Sequence, residues 1–227
     1  MPRRDEEGRG EDRGGYLGFV AHEVRNPLST ALWTAELLTR MPPDERAGAR
    51  GDKLAAMCLR SLGRVRQLVE DHLLIERLDA GGLPVRPEPV PVGEALDAVV
   101  ARLPGLSIST EVPPGLAAAA DRALLERALD AILRAASRDG VAVRVEARAA
   151  GAVAEIRVAG APPGEGALDD PCKGTASDPR GSALGLAAAR RIGAALQGRL
   201  ALEGRAFLLA LPRAEAQPAD GGRPGDR

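Results

Sequence analysis

Two long stretches of helical periodicity, split by Met41-Pro-Pro-Asp-Glu45, constrain the fold of this chain more than any other feature. In the first stretch Leu17, Val20, Val24, Leu28, Ala31, Leu32 and Leu38 recur mostly at three- and four-residue steps, which places them on one helical stripe. Pro42 and Pro43 end it, because proline lacks the amide hydrogen and clashes with the preceding turn. The second stretch carries Leu54, Met57, Leu62, Val65, Val69, Leu73 and Leu78 and runs to about Asp79, where Ala80-Gly-Gly-Leu-Pro84 stops it. Two antiparallel amphipathic helices cannot bury their stripes alone. Pairing with a second copy closes a four-helix bundle, so a homodimer is expected. His22 lies off the main stripe and is expected to face solvent.

Beyond residue 92 the pattern alternates. It predicts a helix near 93–103, a strand over 106–111, a helix over 121–138 and strands over 141–148 and 152–159. A Gly/Pro/Asp-rich loop is expected over 160–182, then a helix over 183–197 and a hairpin over 198–211. The fold class is therefore α+β: a two-helix hairpin forming a dimeric bundle, followed by an α/β sandwich. The expected divisions are a disordered amino terminus (1–14), a dimerisation unit (15–82), a Pro-rich linker (83–92), the sandwich (93–212) and a disordered tail (213–227).

Composition excludes several function classes. The net charge of -1 offers no overall field for nucleic acid or anionic membrane. No apolar run approaches the ~20 residues of a membrane span, and the charged, Gly-rich start is no signal peptide. Cytoplasmic location follows as an expectation. Cys58 and Cys172 are isolated, without metal-ligand spacing, and are expected to stay reduced. With aromatics at 2%, the cores must be built from Leu, Val, Ala and Ile.

The chemistry sits in Phe19-Val-Ala-His-Glu-Val-Arg-Asn-Pro-Leu-Ser-Thr30. A neutral imidazole is a competent nucleophile when one nitrogen is free and the other keeps its proton. Glu23 supplies an adjacent carboxylate, and Asn26, one turn on, offers both donor and acceptor. Arg25 is a basic neighbour suited to phosphate or an acidic partner surface, and Pro27 removes one backbone hydrogen bond. His72, flanked by Glu70 and Asp71, reads as an ordinary helix histidine.

This segment resembles the phosphoacceptor box of bacterial sensor histidine kinases. The resemblance implies that His22 accepts a phosphoryl group, that Glu23 orients it or takes up its proton, and that Asn26 places a water for phosphatase chemistry. It also implies a response-regulator receiver domain as partner. Only a short charged segment precedes the box, so a protein without a sensor domain is expected, with its signal arriving through a partner.

The same resemblance extends to about residue 211 and implies a histidine-kinase-type ATPase domain, altered where its chemistry resides. The helix Asp121 to Ala136 keeps the family's apolar frame, but the two family asparagines fall at Ala131 and Ala135. Asn26 is the only asparagine in the chain. Methyl groups cannot ligate magnesium, which demands oxygen. The aspartate expected to bond adenine falls at Gly160, the first glycine of that box at Pro162, and the middle glycine of the second glycine box at Ala183. Gly164 and Pro171 are kept. No metal site and no cofactor are therefore expected.

Three readings follow. The first is a phosphotransferase or response-regulator phosphatase with a non-functional ATP site. The second is an ATP-dependent kinase with an unusual pocket, which alone would use ATP and magnesium. The third is a non-catalytic pseudokinase scaffold, pairing with itself or with another histidine kinase.

Overall fold

The computed structural model describes residues 4–161, 168 and 182–215. Helix α1 (Arg4–Arg40) and helix α3 (Ala49–Asp79) form the hairpin, joined through the single turn α2 (Pro43–Arg46). Pro43 opens α2, where a missing amide hydrogen costs nothing. Arg46 Nη2 donates to the Met41 carbonyl at 2.9 Å and fixes the corner. Gly51 makes the return possible: a Cβ there would fall inside the van der Waals envelope of the Arg46 carbonyl. Gly51→Ala is expected to cost about 1–3 kcal/mol by overpacking, read as a lowered thermal midpoint.

The amino-terminal boundary differs from expectation. A disordered segment is expected over 1–14, yet α1 opens at Arg4.

The α/β unit comprises β1 (Glu88–Pro91), α4 (Val92–Ala101), β2 (Ile108–Glu111), β3 (Ala117–Ala120), α5 (Arg122–Ala136), β4 (Val143–Ala150), β5 (Val153–Ala159), α6 (Ser182–Ala195), β6 (Arg199–Glu203) and β7 (Ala206–Ala214). A single 3₁₀ turn, Arg138–Gly140, follows α5. The sheet order is β1-β3-β7-β5-β4-β2, with β6 also on β7. Only β2 and β4 pair in parallel; the other neighbours are antiparallel.

Two strands lie where the sequence predicts none. The segment expected to be a linker contains β1, an edge strand whose Pro89 and Pro91 are tolerated because one side of β1 is unpaired. Four successive alanines form β3, where pairing with β1 and β7 overrides their helical preference.

One core lies between the sheet and the three helices. Asp121 caps α5 by accepting from the Leu124 amide at 3.3 Å. Leu125, Leu129, Ile132 and Leu133 then recur at helical spacing and are fully buried. Each contributes about 1.5–3 kcal/mol of apolar burial. Val92, Leu96 and Val99 of α4 and Ile192 of α6 complete the layer against Val145, Ile156 and Leu209.

Candidate phosphoacceptor site and the degenerate nucleotide face

His22, Arg25 and Asn26 are all exposed on α1, and Glu23 and Pro27 are half-buried. The spacing explains the arrangement: positions three and four apart share a helix face, so Arg25 and Asn26 stand one turn beyond His22. The helix continues through Pro27. Proline there offers no amide hydrogen to the Glu23 carbonyl. Thr30 Oγ1 donates to the Asn26 carbonyl at 3.2 Å, which covers the backbone of the following turn. The imidazole is thus open to solvent, with a carboxylate next to it and an amide one turn on.

The stripe that carries this turn divides in two. Ala31 and Thr34 are buried inside the hairpin, and Thr34 Oγ1 is satisfied by the Thr30 and Ala31 carbonyls, each at 2.9 Å. Leu32 (58% exposed), Trp33 (55%) and Leu59 (70%) face outward, as do Leu17, Leu62, Val69 and Leu73. On the other flank Tyr16, Phe19, Val20 and Val24 pack against Leu68 and Ile75 of α3 and Leu184, Ala187 and Ala188 of α6. The α/β unit thus docks beside the His22 turn and leaves His22 itself open. Cys58 is a free, half-buried thiol whose sulfur lies 3.5 Å from the Ala31 carbonyl.

On the α/β unit, Ala131 is half-buried and Ala135 is 1% exposed, both on α5. Gly160 lies against the end of that helix. A Cβ added at Gly160 would intrude on the Ala136 carbonyl, which already accepts from the Ala161 amide at 2.6 Å. Gly185 of α6 faces Ala131 and α3; a methyl group there would stand 3.5 Å from Ala131 Cβ and 3.8 Å from Asp71 Oδ2. Ala183 is half-buried at the start of α6. Pro162, Gly164, Pro171, Cys172 and most of the loop expected over 160–182 lie outside the described residues, as does the tail from 216.

Asp71 and Arg127 are missed by the sequence reading. Asp71 is 4% exposed, and its Oδ1 accepts from Arg127 Nη2 at 2.9 Å. Burial pushes its carboxyl above the ordinary value, partly opposed by the Arg127 guanidinium. Fifty-six residues separate the two, so no local signal links them.

Residues 12–81 match the family of the His Kinase A (phospho-acceptor) domain. Over this segment the chain carries the phosphoacceptor domain of the histidine kinases. The cell-division control histidine kinase PdhS of Brucella anthropi is 29% identical over 103 residues, covering 44% of this chain and 9% of that protein. The Brucella ovis PdhS is likewise 29% identical, with 10% of its length covered. The chain therefore spans only a small part of the curated relatives it matches. Among solved structures, the Acinetobacter baumannii histidine kinase AdeS superposes with a TM-score of 0.63 at 19% identity, covering 84% of this chain and 97% of that one. Histidine kinase ThkA, solved in complex with response regulator protein TrrA, gives 0.60 at 16% identity, covering 93% and 65%. At these identities the likeness establishes the histidine-kinase fold, a helical hairpin followed by a mixed sheet covered by helices. No helix among the described residues is long and apolar enough to cross a membrane.

Proposed function

We propose that this histidine kinase-type two-component protein moves phosphoryl groups between His22 and response-regulator aspartates, or hydrolyses them from those aspartates, without drawing on ATP. The contrast between its two faces carries the reading. His22, Arg25 and Asn26 are open on one side of α1, whereas Ala131, Ala135 and Gly160 offer no oxygen ligand and lie against neighbouring backbone and helices. Methyl groups at Ala131 and Ala135 and the absent side chain at Gly160 supply no side-chain oxygen for a magnesium-nucleotide complex, which supports the reading.

In transfer, a ring nitrogen of His22 bonds to phosphorus as the phosphorus–oxygen bond to the receiver aspartate breaks, releasing a carboxylate. The proton on the other ring nitrogen is held or taken up by Glu23. In hydrolysis, Asn26 holds a water that attacks phosphorus, and inorganic phosphate leaves. Both reactions rest on positioning and electrostatics more than on covalent help from the protein. Arg25, beside the acceptor, steadies phosphate charge, and Arg25→Ala is expected to weaken either reaction mildly.

The experiment is phosphotransfer profiling against the receiver domains of the host, with nucleotide titration by calorimetry alongside. Transfer or dephosphorylation without nucleotide binding supports the proposal. Nucleotide binding would return the protein to an ATP-dependent kinase, and silence in both would leave a scaffold.

The outward stripe supports a homodimer built from residues of the hairpin. Leu59, Leu62 and Leu73 leave apolar surface that a second copy would cover in a four-helix bundle. Sedimentation at micromolar concentration is expected to show a dimer. Leu62→Glu combined with Leu73→Glu should shift it to a monomer with its helices intact. A wild-type monomer with both helices folded would count against the bundle.

A further inference from the structure

The hairpin and the α/β unit meet along α3, where an apolar contact is crossed by two carboxylate–arginine pairs. Asp79 pairs with Arg191 of α6, whose Nε lies 2.8 and 2.9 Å from the two carboxylate oxygens. Asp79 is half-exposed, so this pair is a surface contact of modest strength. Asp71, two turns earlier, is set differently. Its side chain is 5% exposed, one oxygen binds Arg127 Nη2, and Oδ2 has no partner among the described residues. Arg127 Nε is equally unpartnered. From α6, Gly185 faces Oδ2, and a Cβ added there would stand 3.8 Å from it. A buried carboxylate with one good hydrogen bond does not recover its lost hydration.

We propose that Asp71 is a release device: a half-paired carboxylate buried at the junction of α3, α5 and α6 that holds the α/β unit on the hairpin at less than full strength, so that the two can part. This goes beyond the phosphotransfer reading and does not depend on it. The charges around Asp71 support it. Arg127 of α5 and Arg64 of α3 favour the ionised carboxylate, Asp130 of α5 opposes it, and burial outweighs them, raising the carboxyl above 3.8. A group raised in the docked state contributes stability fully present below its undocked value and lost as pH rises through its docked value. Docking is therefore tighter in acid and looser near neutrality. The next side chain on α3, His72, has its Nδ1 3.2 Å from the Tyr16 hydroxyl of α1.

Amide hydrogen exchange on the full chain tests this, read in α6 over 184–188 and in α3 over 68–75, with β5 of the central sheet as internal control. Asp71→Asn keeps the shape and removes the charge. It is expected to slow exchange at the contact several-fold near neutral pH, since each unit of raised pKa corresponds to about a tenfold bias. Arg127→Ala strands the charge and is expected to speed exchange. In the wild type, exchange corrected for intrinsic amide chemistry is expected to slow as pH falls through the raised value of the docked Asp71 carboxyl, and this response should vanish in Asp71→Asn. Unchanged or faster exchange in Asp71→Asn would make the pair a net clamp and overturn the proposal. A pH response that persists in Asp71→Asn would assign it to another group, with the same consequence. Should Asp71→Asn fail to fold, a wild-type contact that does not tighten in acid overturns the proposal by itself.

Discussion

His22→Ala is expected to abolish phosphoryl acceptance from a phosphorylated receiver domain, because alanine offers no nucleophile and no other exposed histidine shares the face. Asn26 separates the two directions of the chemistry. If hydrolysis dominates, Asn26→Ala removes the group that places the water, and dephosphorylation of the receiver should fall about 10²–10⁴-fold, the usual contribution of a positioned polar group. His22 substitutions would then retain part of the hydrolysis. If relay dominates, Asn26→Ala should leave transfer largely intact while His22→Ala is null. A single-turnover assay with a receiver charged by a small-molecule phosphodonor distinguishes these patterns. Variants that all leave the receiver as stable as it is alone, alongside an equally inert wild type, would remove both catalytic readings.

The second large effect concerns Gly160. Restoring a carboxylate there is expected to damage the fold without recovering nucleotide binding. The Ala136 carbonyl occupies the space of the first side-chain carbon and is anchored by the Ala161 amide. A backbone carbonyl cannot swing aside like a flexible side chain, so Gly160→Asp should lie at the upper end of the about 1–3 kcal/mol typical of overpacking. Repulsion between carboxylate and carbonyl adds to it. The thermal midpoint should drop by several degrees, and calorimetry should still detect no ATP. Ala135→Asn compounds the problem by placing an amide at a 1% exposed position. A Gly160→Asp variant that melts like wild type and gains nucleotide affinity would show that the backbone opens more readily than this packing allows.

The hairpin is legible in the sequence because its determinants are local. Apolar residues at three- and four-residue steps and a proline pair fix two helices and a corner, and α3 ends at Asp79 as that pattern predicts. His22 faces solvent because it falls off the stripe. Periodicity does not reveal which flank of the stripe is covered: Leu68 and Ile75 are buried where α1 and α6 both reach them, while Leu62 and Leu73 stay open. The strands β1 and β3 are invisible for a related reason. Neither a Pro-rich segment nor a run of alanines shows alternation, and both become strands through partners elsewhere in the chain. At Gly160 the resemblance implies a missing aspartate, and the structure adds that backbone lies against this glycine. Asp71 and Arg127 meet across two units of the fold, so only the folded chain brings them together.

The central claim is that His22 exchanges phosphate with receiver domains and takes none from ATP. Incubation of the purified chain with radiolabelled ATP and magnesium, followed by quantitation of acid-labile label on the protein, tests it most directly. The account predicts no label above that of His22→Ala. Magnesium-dependent label on the wild type that disappears in His22→Ala would contradict it.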